Sequence, residues 1–406
     1  MTTTPTITIH RGENQIGGTV IEIATDTTAI LLDAGENLPG NVNASEFDLD
    51  KLLSEKHIDA VIISHGHFDH FGLLTKLDFK KHPIPVYMGD LAYRVYLESQ
   101  EYVHPLQPLP FQLAGVLSNG CTFCCGDIQI TPYLADHSAF DAYSLLVEAG
   151  GKQIFYTGDF RGHGRKSFDR YISSLSTGID ILITEGTTLS RPDHVMLTES
   201  DLEEEAVRLM REKKGPVFVL QSATNIDRIV TMYRASKRSR RVFLQELYMA
   251  SITKTIGGNI PNAETFEDVY AFTAKPLDQT VPEQNALYEA LRFFGRKSIA
   301  MKDIATRHFT MYIRQSMEIY LRKLSKMMSF SDGLLIYSMW DGYKTDPKMQ
   351  AFLDLAVSLG LEIVDIHASG HADAAALNRL INKLNPKQII PVHTEHAEWF
   401  KQNWPL

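Results

Sequence analysis

The chain has 406 residues, 44% of them hydrophobic and 22% charged, enough apolar material for two domains or for one domain with a large insertion. No run of about 18 apolar residues occurs, which excludes a helical membrane span. Met1-Thr-Thr-Thr-Pro5 lacks the basic-then-apolar pattern of a secretory signal. The net charge of −9 argues weakly against nucleic acid, and Cys121, Cys124 and Cys125 are too few and too close to staple the chain, so a reducing cytoplasm is expected.

In chain order, the first sixty residues read as strands: residues 6–10, 19–24, 29–32 and 58–63, the last ending in Ser64-His65-Gly66-His67. Strand-rich texture continues from Ile128 to Asp159, with strands at 128–134, 144–147 and 153–156. Together these suggest a sandwich of mainly antiparallel sheet with few long helices.

The texture changes near residue 195. Ser200-Asp-Leu-Glu203 has capping-box form and opens a helix to Lys214, stopped by Gly215-Pro216. A strand at 217–220, a helix at 225–236 and a strand at 242–244 imply a parallel βαβ unit. Helices are expected over 282–294 and 310–328. A closing α/β unit follows, with a strand at 362–366, a helix at 373–384 and a strand at 388–392. The expected domains are 1–195, an insertion over 196–345, and 346–406 completing the first.

Charge is uneven. Residues 205–260 hold eleven Lys/Arg against four Asp/Glu, and residues 292–326 nine against two. Such runs are usually solvated helix faces; two in one half of an acidic chain could instead form a polyanion track. Composition does not decide between them.

The densest chemistry is His65-Gly-His67-Phe-Asp69-His70, four potential metal ligands in six positions directly after an apolar strand. Imidazole and carboxylate without thiolate suit zinc, and also manganese or iron. Asp33, His137 and Asp159 each follow an apolar strand, where side chains can converge on one cleft. Taken singly, each is more often a turn residue than a ligand.

In order and style these residues resemble the metallo-β-lactamase fold, an αββα sandwich. Glu185 in Leu182-Ile-Thr-Glu185-Gly, His371 in His367-Ala-Ser-Gly-His371, and His393 in Pro391-Val-His393-Thr resemble the further motifs of the β-CASP nuclease branch, its RNase J-like members in particular. Gly215 to Arg228 resembles the opening strand and helix of the β-CASP insertion. The fold class implied is α/β, a metallo-β-lactamase sandwich with an inserted β-CASP α/β domain.

The resemblance implies two divalent metal ions, zinc first and manganese as the alternative. His65, His67 and His137 would hold one ion; Asp69, His70 and His393 the other, with Asp159 bridging and Asp33 orienting from behind. Asp69, Glu185 and His371 are the catalytic candidates, His371 as general acid held by Glu185, and His367 and Ser369 the candidate contacts to a substrate phosphate. The implied activity is ribonuclease, a hydrolase cleaving single-stranded RNA inside the strand, from the 5′ end, or both; DNA stays open as a substrate.

Tyr233, Tyr248 and Phe293 are candidate base-stacking rings among the basic segments. Two other functions stand beside this one: a small-molecule metallohydrolase acting on a thioester or lactone, and a catalytically inactive RNA-binding subunit. The sequence stops 13 residues after His393, so the C-terminal extension of typical RNase J-like enzymes is expected to be missing, which leaves a homo-oligomer open. Cys121, Cys124 and Cys125 lack a clear fourth metal ligand and read as structural.

Overall fold

Alternating apolar strands end on polar turns throughout the first part of the chain, and in space these ends share an edge. The structure is a computed structural model that describes residues 4–38, 46–103, 111–190, 196–273, 290 and 292–404. It divides into two units, one from residues within 1–96, 108–196 and 370–406, the other from residues within 97–107 and 197–369.

In the first unit, β1 (Thr6–Arg11), β2 (Val20–Ala24), β3 (Ala29–Leu32), β4 (Ala60–Ile62), β5 (Val86–Gly89) and β6 (Leu113–Leu117) form one sheet in sequence order. The pairs β1·β2 and β2·β3 are antiparallel, but β3·β4, β4·β5 and β5·β6 are parallel. A second sheet contains β7 (Phe123–Cys125), β8 (Ile128–Ala135), β9 (Ala142–Ala149), β10 (Lys152–Tyr156) and β11 (Ile181–Thr184). Its first three pairings are antiparallel and β10·β11 is parallel. Both sheets are therefore mixed, which corrects the expectation of a mainly antiparallel sandwich.

Side chains from the two sheets interlock in one core that includes Ile21, Ile30, Leu32 and Ile62 from the first and Ile130, Leu145, Ile154 and Ile183 from the second. Helices Phe168–Ser174 and Ala374–Leu384 bury Phe168, Tyr171, Leu377 and Leu380 against Leu146, Phe155 and Leu182 on the second sheet's outer side. The helix Asp90–Val103 was not foreseen in this strand-rich part; its Tyr96 packs edge-on against Phe71 at 4.9 Å. The αββα expectation is borne out.

The second unit is built on one all-parallel sheet, with β12 (Val217–Leu220), β13 (Val242–Glu246), β14 (Val269–Phe272), β15 (Phe309–Ile313), β16 (Gly333–Tyr337) and β17 (Leu361–Asp365) in the order β14-β13-β15-β12-β16-β17. Near-continuous apolar strands such as Val-Phe-Val-Leu and Phe-Thr-Met-Tyr-Ile are what a sheet buried on both faces requires. The helix expected over 310–328 is corrected here. Its first part is β15, held between β12 and β13, and only Glu318–Leu324 is α-helical.

The capping box sits two residues earlier than expected, with Thr198 and Asp201 reciprocally bonded at the start of Glu199–Glu212. The segment 282–294 lies mostly outside the described residues. The return expected at 346 differs as well. Residues 346–369 stay with the second unit, because β17 extends its sheet in parallel beside β16.

The last strand, β18 (Gln388–Pro391), pairs parallel with β11 in the first unit. No helix among the described residues is long and apolar enough to cross a membrane.

Candidate metal centre

Strand direction gathers the polar turns. Strands β3 and β4 run parallel, β10, β11 and β18 run parallel, and β8 joins β10's direction through the antiparallel β9. The residues just past their C-terminal ends therefore share one rim of the sandwich: Asp33 after β3, His65 after β4, His137 after β8, Asp159 after β10, Glu185 after β11 and His393 after β18. The two faces of the sandwich core bring those ends together.

The His-rich motif divides at a helix start. His65 and His67 lie on extended backbone, with His67 as N-cap, and Asp69 and His70 fall in the single turn Phe68–Phe71. Four overlapping sets of donor atoms result, each within 4.8 Å of one another: His65, His67 and His137; Asp69, His70 and His393; His65, His70 and Asp159; and Asp159, Glu185, His371 and His393. Asp159 lies among them, its Oδ2 at 3.1 Å from His70 Nε2 and 3.7 Å from both His65 Nε2 and His393 Nε2.

The hydrogen bonds behind the rings point the donor atoms inward. Asp33, fully buried, accepts from His70 Nδ1 at 2.7 Å, Ser64 N at 2.7 Å, Ser64 Oγ at 2.8 Å and Tyr156 Oη at 2.6 Å. His65 Nδ1 then donates to Ser64 Oγ at 3.0 Å, and His137 Nδ1 to the Gly370 carbonyl at 2.5 Å. His393 Nδ1 donates to Thr187 Oγ1 at 2.8 Å, since that hydroxyl itself donates to the His393 carbonyl.

These hydrogen bonds leave the Nε2 atoms of His65, His70, His137 and His393 facing the centre. His393 Nε2 hydrogen-bonds to Asp69 Oδ2 at 3.1 Å, so the two side chains are held together at one point of the cluster. His65 Nε2 and His70 Nε2 are buried without a hydrogen bond. Divalent cations fit this donor set, because imidazole nitrogens and carboxylate oxygens converge within 4.8 Å and are oriented from behind by hydrogen bonds.

Electrostatics agree in direction. Burial holds the His65 and His137 imidazoles well below their usual range and His67 at about 4, so these rings are neutral and able to ligate. Burial also acts downward on His70, but Asp159, Asp33 and Asp69 push it well above. For Asp159, burial acts upward, and the facing His393, His70 and His371 rings hold it well below the carboxylate range.

Beside the cluster, His371 Nδ1 donates to Glu185 Oε2 at 3.0 Å and lies 3.6 Å from Asp159 Oδ2. Glu185 is fully buried and anchored by the backbone N–H of Phe160 at 2.9 Å. Burial lowers His371, but Glu185 and Asp159 outweigh it and raise its pKa to about 9.

Backbone strain marks the same places. Asp33 and His393 have φ of 61° and 51°, unusual for non-glycine residues. Gly35 allows the closest approach, since a Cβ there would lie 1.8 Å from the Asp69 carbonyl.

His367 and Ser369 are not among the grouped donors. They follow β17 in the second unit, His367 exposed and Ser369 half-buried. Ser64, Tyr156 and Thr187, which hydrogen-bond to Asp33 or to His393, carry no sequence signal beyond adjacency to a motif.

The basic segments also look different in space. In 205–260, Arg208 pairs with Glu205 and Glu212, Arg238 with Glu203 and Glu204, and Lys213 with Glu362, while Arg228 and Arg241 are buried. Much of that stretch is thus internally neutralised. Of the three candidate stacking rings, Tyr233 is buried and Tyr248 packs on Tyr102 and Arg314. Phe293 is 46% exposed, with Lys254 Nζ 3.5 Å above its ring.

Comparison with known proteins decides the family. A model described as "Beta-lactamase superfamily domain" matches residues 28–221, and one described as "Zn-dependent metallo-hydrolase RNA specificity domain" matches residues 356–403. The chain carries a metallo-β-lactamase superfamily domain. Within this superfamily it is similar to Ribonuclease J of Mycobacterium tuberculosis, 25% identical over 415 residues that cover 95% of this chain and 68% of that protein.

Ribonuclease J of Thermus thermophilus is 22% identical over 97% of this chain and 69% of its own length. An RNase J-like protein of Methanocaldococcus jannaschii is 29% identical over 57% of this chain and 56% of its own. A crystal structure of a protein of unknown function from Enterococcus faecalis V583 shares the fold, with a TM-score of 0.74 at 22% identity, covering 98% of this chain and 95% of that one. These matches agree with the β-CASP, RNase J-like resemblance, and this metallo-β-lactamase-fold protein is a metal-dependent hydrolase.

Proposed function

We propose that the chain is a metal-dependent ribonuclease that hydrolyses phosphodiesters of single-stranded RNA. The observation that carries the reading is the His371–Glu185 pair: a buried carboxylate holds an imidazole 3.6 Å from Asp159, within the donor cluster. Phosphodiester cleavage needs a proton for the departing sugar oxygen, and this pair is built to supply one.

His65, His67 and His137 would hold one divalent ion and Asp69, His70 and His393 the other, with Asp159 shared and zinc or manganese suited to these N/O donors. When bound, two such ions supply Lewis acidity and a nucleophile at neutral pH. Glu185 accepts the hydrogen bond from His371 Nδ1 and keeps the ring cationic, so that its Nε2–H would serve as general acid, a role worth roughly 10²–10⁴ in rate. Asp33 keeps His70 turned inward. His367 and Ser369 would hydrogen-bond to a substrate phosphate, and Phe293 with Lys254 offers a surface on which a base can stack.

RNA as substrate is further supported by the named activity of the relatives. The free thiols Cys121, Cys124 and Cys125 suit a reducing cytoplasm. Neither the thioester or lactone hydrolase nor the inactive subunit is favoured, because every position of the donor set is filled and the pair at His371 is intact.

The test uses end-labelled single-stranded RNA and DNA with metal-analysed protein, reading whether the first products are mononucleotides or long fragments. Asp69→Ala and His70→Ala should abolish cleavage while the fold survives. Undiminished cleavage by both purified variants would remove the proposed site.

A further inference from the structure

One buried cation in the second unit has no part in that chemistry. Arg228 lies in the first turn of helix Ile226–Arg238, which follows β12, and its side chain is fully buried. Arginine has five N–H donors in a planar fork, and here each has a partner. Nε donates to Glu199 Oε2 at 3.3 Å and Nη2 to Glu199 Oε1 at 3.1 Å. Nη1 donates to Ser338 Oγ and to the Ile366 carbonyl at 3.3 Å, and Nη2 also reaches the Ala368 carbonyl at 3.5 Å.

The partners are buried too. Glu199 is 1% exposed and also accepts from Thr231 Oγ1 at 2.5 Å, while Ser338 Oγ donates to the Ile366 carbonyl at 2.5 Å. The network thus joins the starts of helices Glu199–Glu212 and Ile226–Arg238 and the C-terminal ends of β16 and β17. Its two backbone acceptors, Ile366 and Ala368, flank His367 and immediately precede Ser369.

A buried ion pair is a poor stabiliser compared with apolar packing of the same volume, because desolvation offsets the attraction. Apolar side chains would fill this space, but they could not grip two carbonyls of one segment. Lysine could not either, since its donors radiate from a single nitrogen instead of spanning a plane.

We infer that Arg228, oriented by Glu199, is a positioning residue: its guanidinium clamps the 366 and 368 carbonyls and so fixes the segment carrying His367 and Ser369 for binding a phosphate of the RNA strand. The inference rests on the ribonuclease reading. It gives Arg228 no contact with substrate; the residue acts through the backbone it holds.

The experiment measures steady-state cleavage of single-stranded RNA by wild type, Arg228→Lys and the double variant Glu199→Gln/Arg228→Met, with metal content determined for each and inorganic phosphate as inhibitor. The double variant removes both charges together, so it tests the clamp without stranding Glu199. Expected in both is a rise of roughly tenfold in KM and in the phosphate inhibition constant, the effect of about one charge-assisted hydrogen bond, with kcat at saturation lowered less than about threefold.

A clamp that merely braces the unit would lower the melting temperature and leave KM and phosphate inhibition unchanged; that result in a folded, metal-loaded variant overturns the inference. If Arg228→Lys does not fold, the double variant decides. Wild-type protein that fails to cleave RNA would overturn the ribonuclease reading itself, an outcome separate from variants that behave like an active wild type.

Discussion

The carboxylate of Asp33 receives the Nδ1 proton of His70 at 2.7 Å, with both side chains fully buried. This bond turns His70 Nε2 toward Asp159, and Tyr156 and Ser64 hold Asp33 in place from behind. Asp33→Asn keeps the shape but loses the charge that fixes the ring. Metal affinity measured by competition with a chromogenic chelator should fall roughly 10–100-fold. Unchanged affinity would show that His70 does not ligate.

Removing metal should destabilise the protein. The donor atoms of Asp69, His70 and His393 lie within 4.8 Å of one another, as do those of His65, His67 and His137, so a bound cation would tie together elements far apart in sequence. A ligand present at about a thousandfold over its Kd contributes roughly 4 kcal/mol, so dialysis against a chelator should lower Tm by several degrees, with recovery on adding zinc or manganese. A melting curve indifferent to both treatments would contradict a structural metal pair.

His371→Ala should leave metal content unchanged and lower kcat by roughly 10²–10⁴. Glu185→Gln should do less harm to the fold than Glu185→Ala, because the Phe160 N–H still finds an acceptor. Loss of metal in His371→Ala would instead place that ring among the ligands.

Gly35→Ala tests the closest approach in the site. The added methyl would lie 1.8 Å from the Asp69 carbonyl, so the turn carrying Asp69 and His70 has to move. A stability loss on the order of 1–3 kcal/mol and lost metal should appear together in denaturant titration and metal analysis. A variant with full metal content would show that the turn yields without cost.

Glu22 gives a pH dependence away from the site. Its buried carboxylate takes a hydrogen bond from His10 at 3.0 Å and another from Lys56, which together hold it below the usual carboxylate range despite the upward pull of burial. A lowered folded pKa means the stabilisation is complete above the ordinary glutamate range and disappears as pH falls through the lower folded value. Glu22→Gln should cost about 1–2 kcal/mol at pH 7, and the gap from wild type should shrink on acidification below about pH 4. A gap that stays constant across that range would mean Glu22 carries no net charge interaction.

Much of the site was legible in the chain because its residues cluster at strand ends. His65 to His70 announce themselves by density, and Asp33, His137, Asp159, Glu185 and His393 by following short apolar runs. The short strand β15 reads as helix in the sequence, since Phe309 to Ile313 is apolar but for Thr310 and such a run has no period to separate the two forms. Ser200 and Glu203 satisfy the same capping pattern as Thr198 and Asp201, so the sequence alone points two residues late.

By itself the sequence determined the chemistry available: which side chains can ligate, where strands stop, and that no thiolate joins the donor set. Only the tertiary structure decided which atoms face one another. Strand direction puts β3, β4, β8, β10, β11 and β18 ends on one rim, and hydrogen bonds from Asp33, Ser64, Gly370 and Thr187 choose each ring's tautomer. It also cancelled apparent surplus charge, pairing Arg208 and Arg238 with acids on helix Glu199–Glu212 and burying Arg228 on Glu199. The reason is physical: residue type sets what a group can donate or accept, but the energy of a charge or lone pair depends on its neighbours in space, which a linear string does not specify.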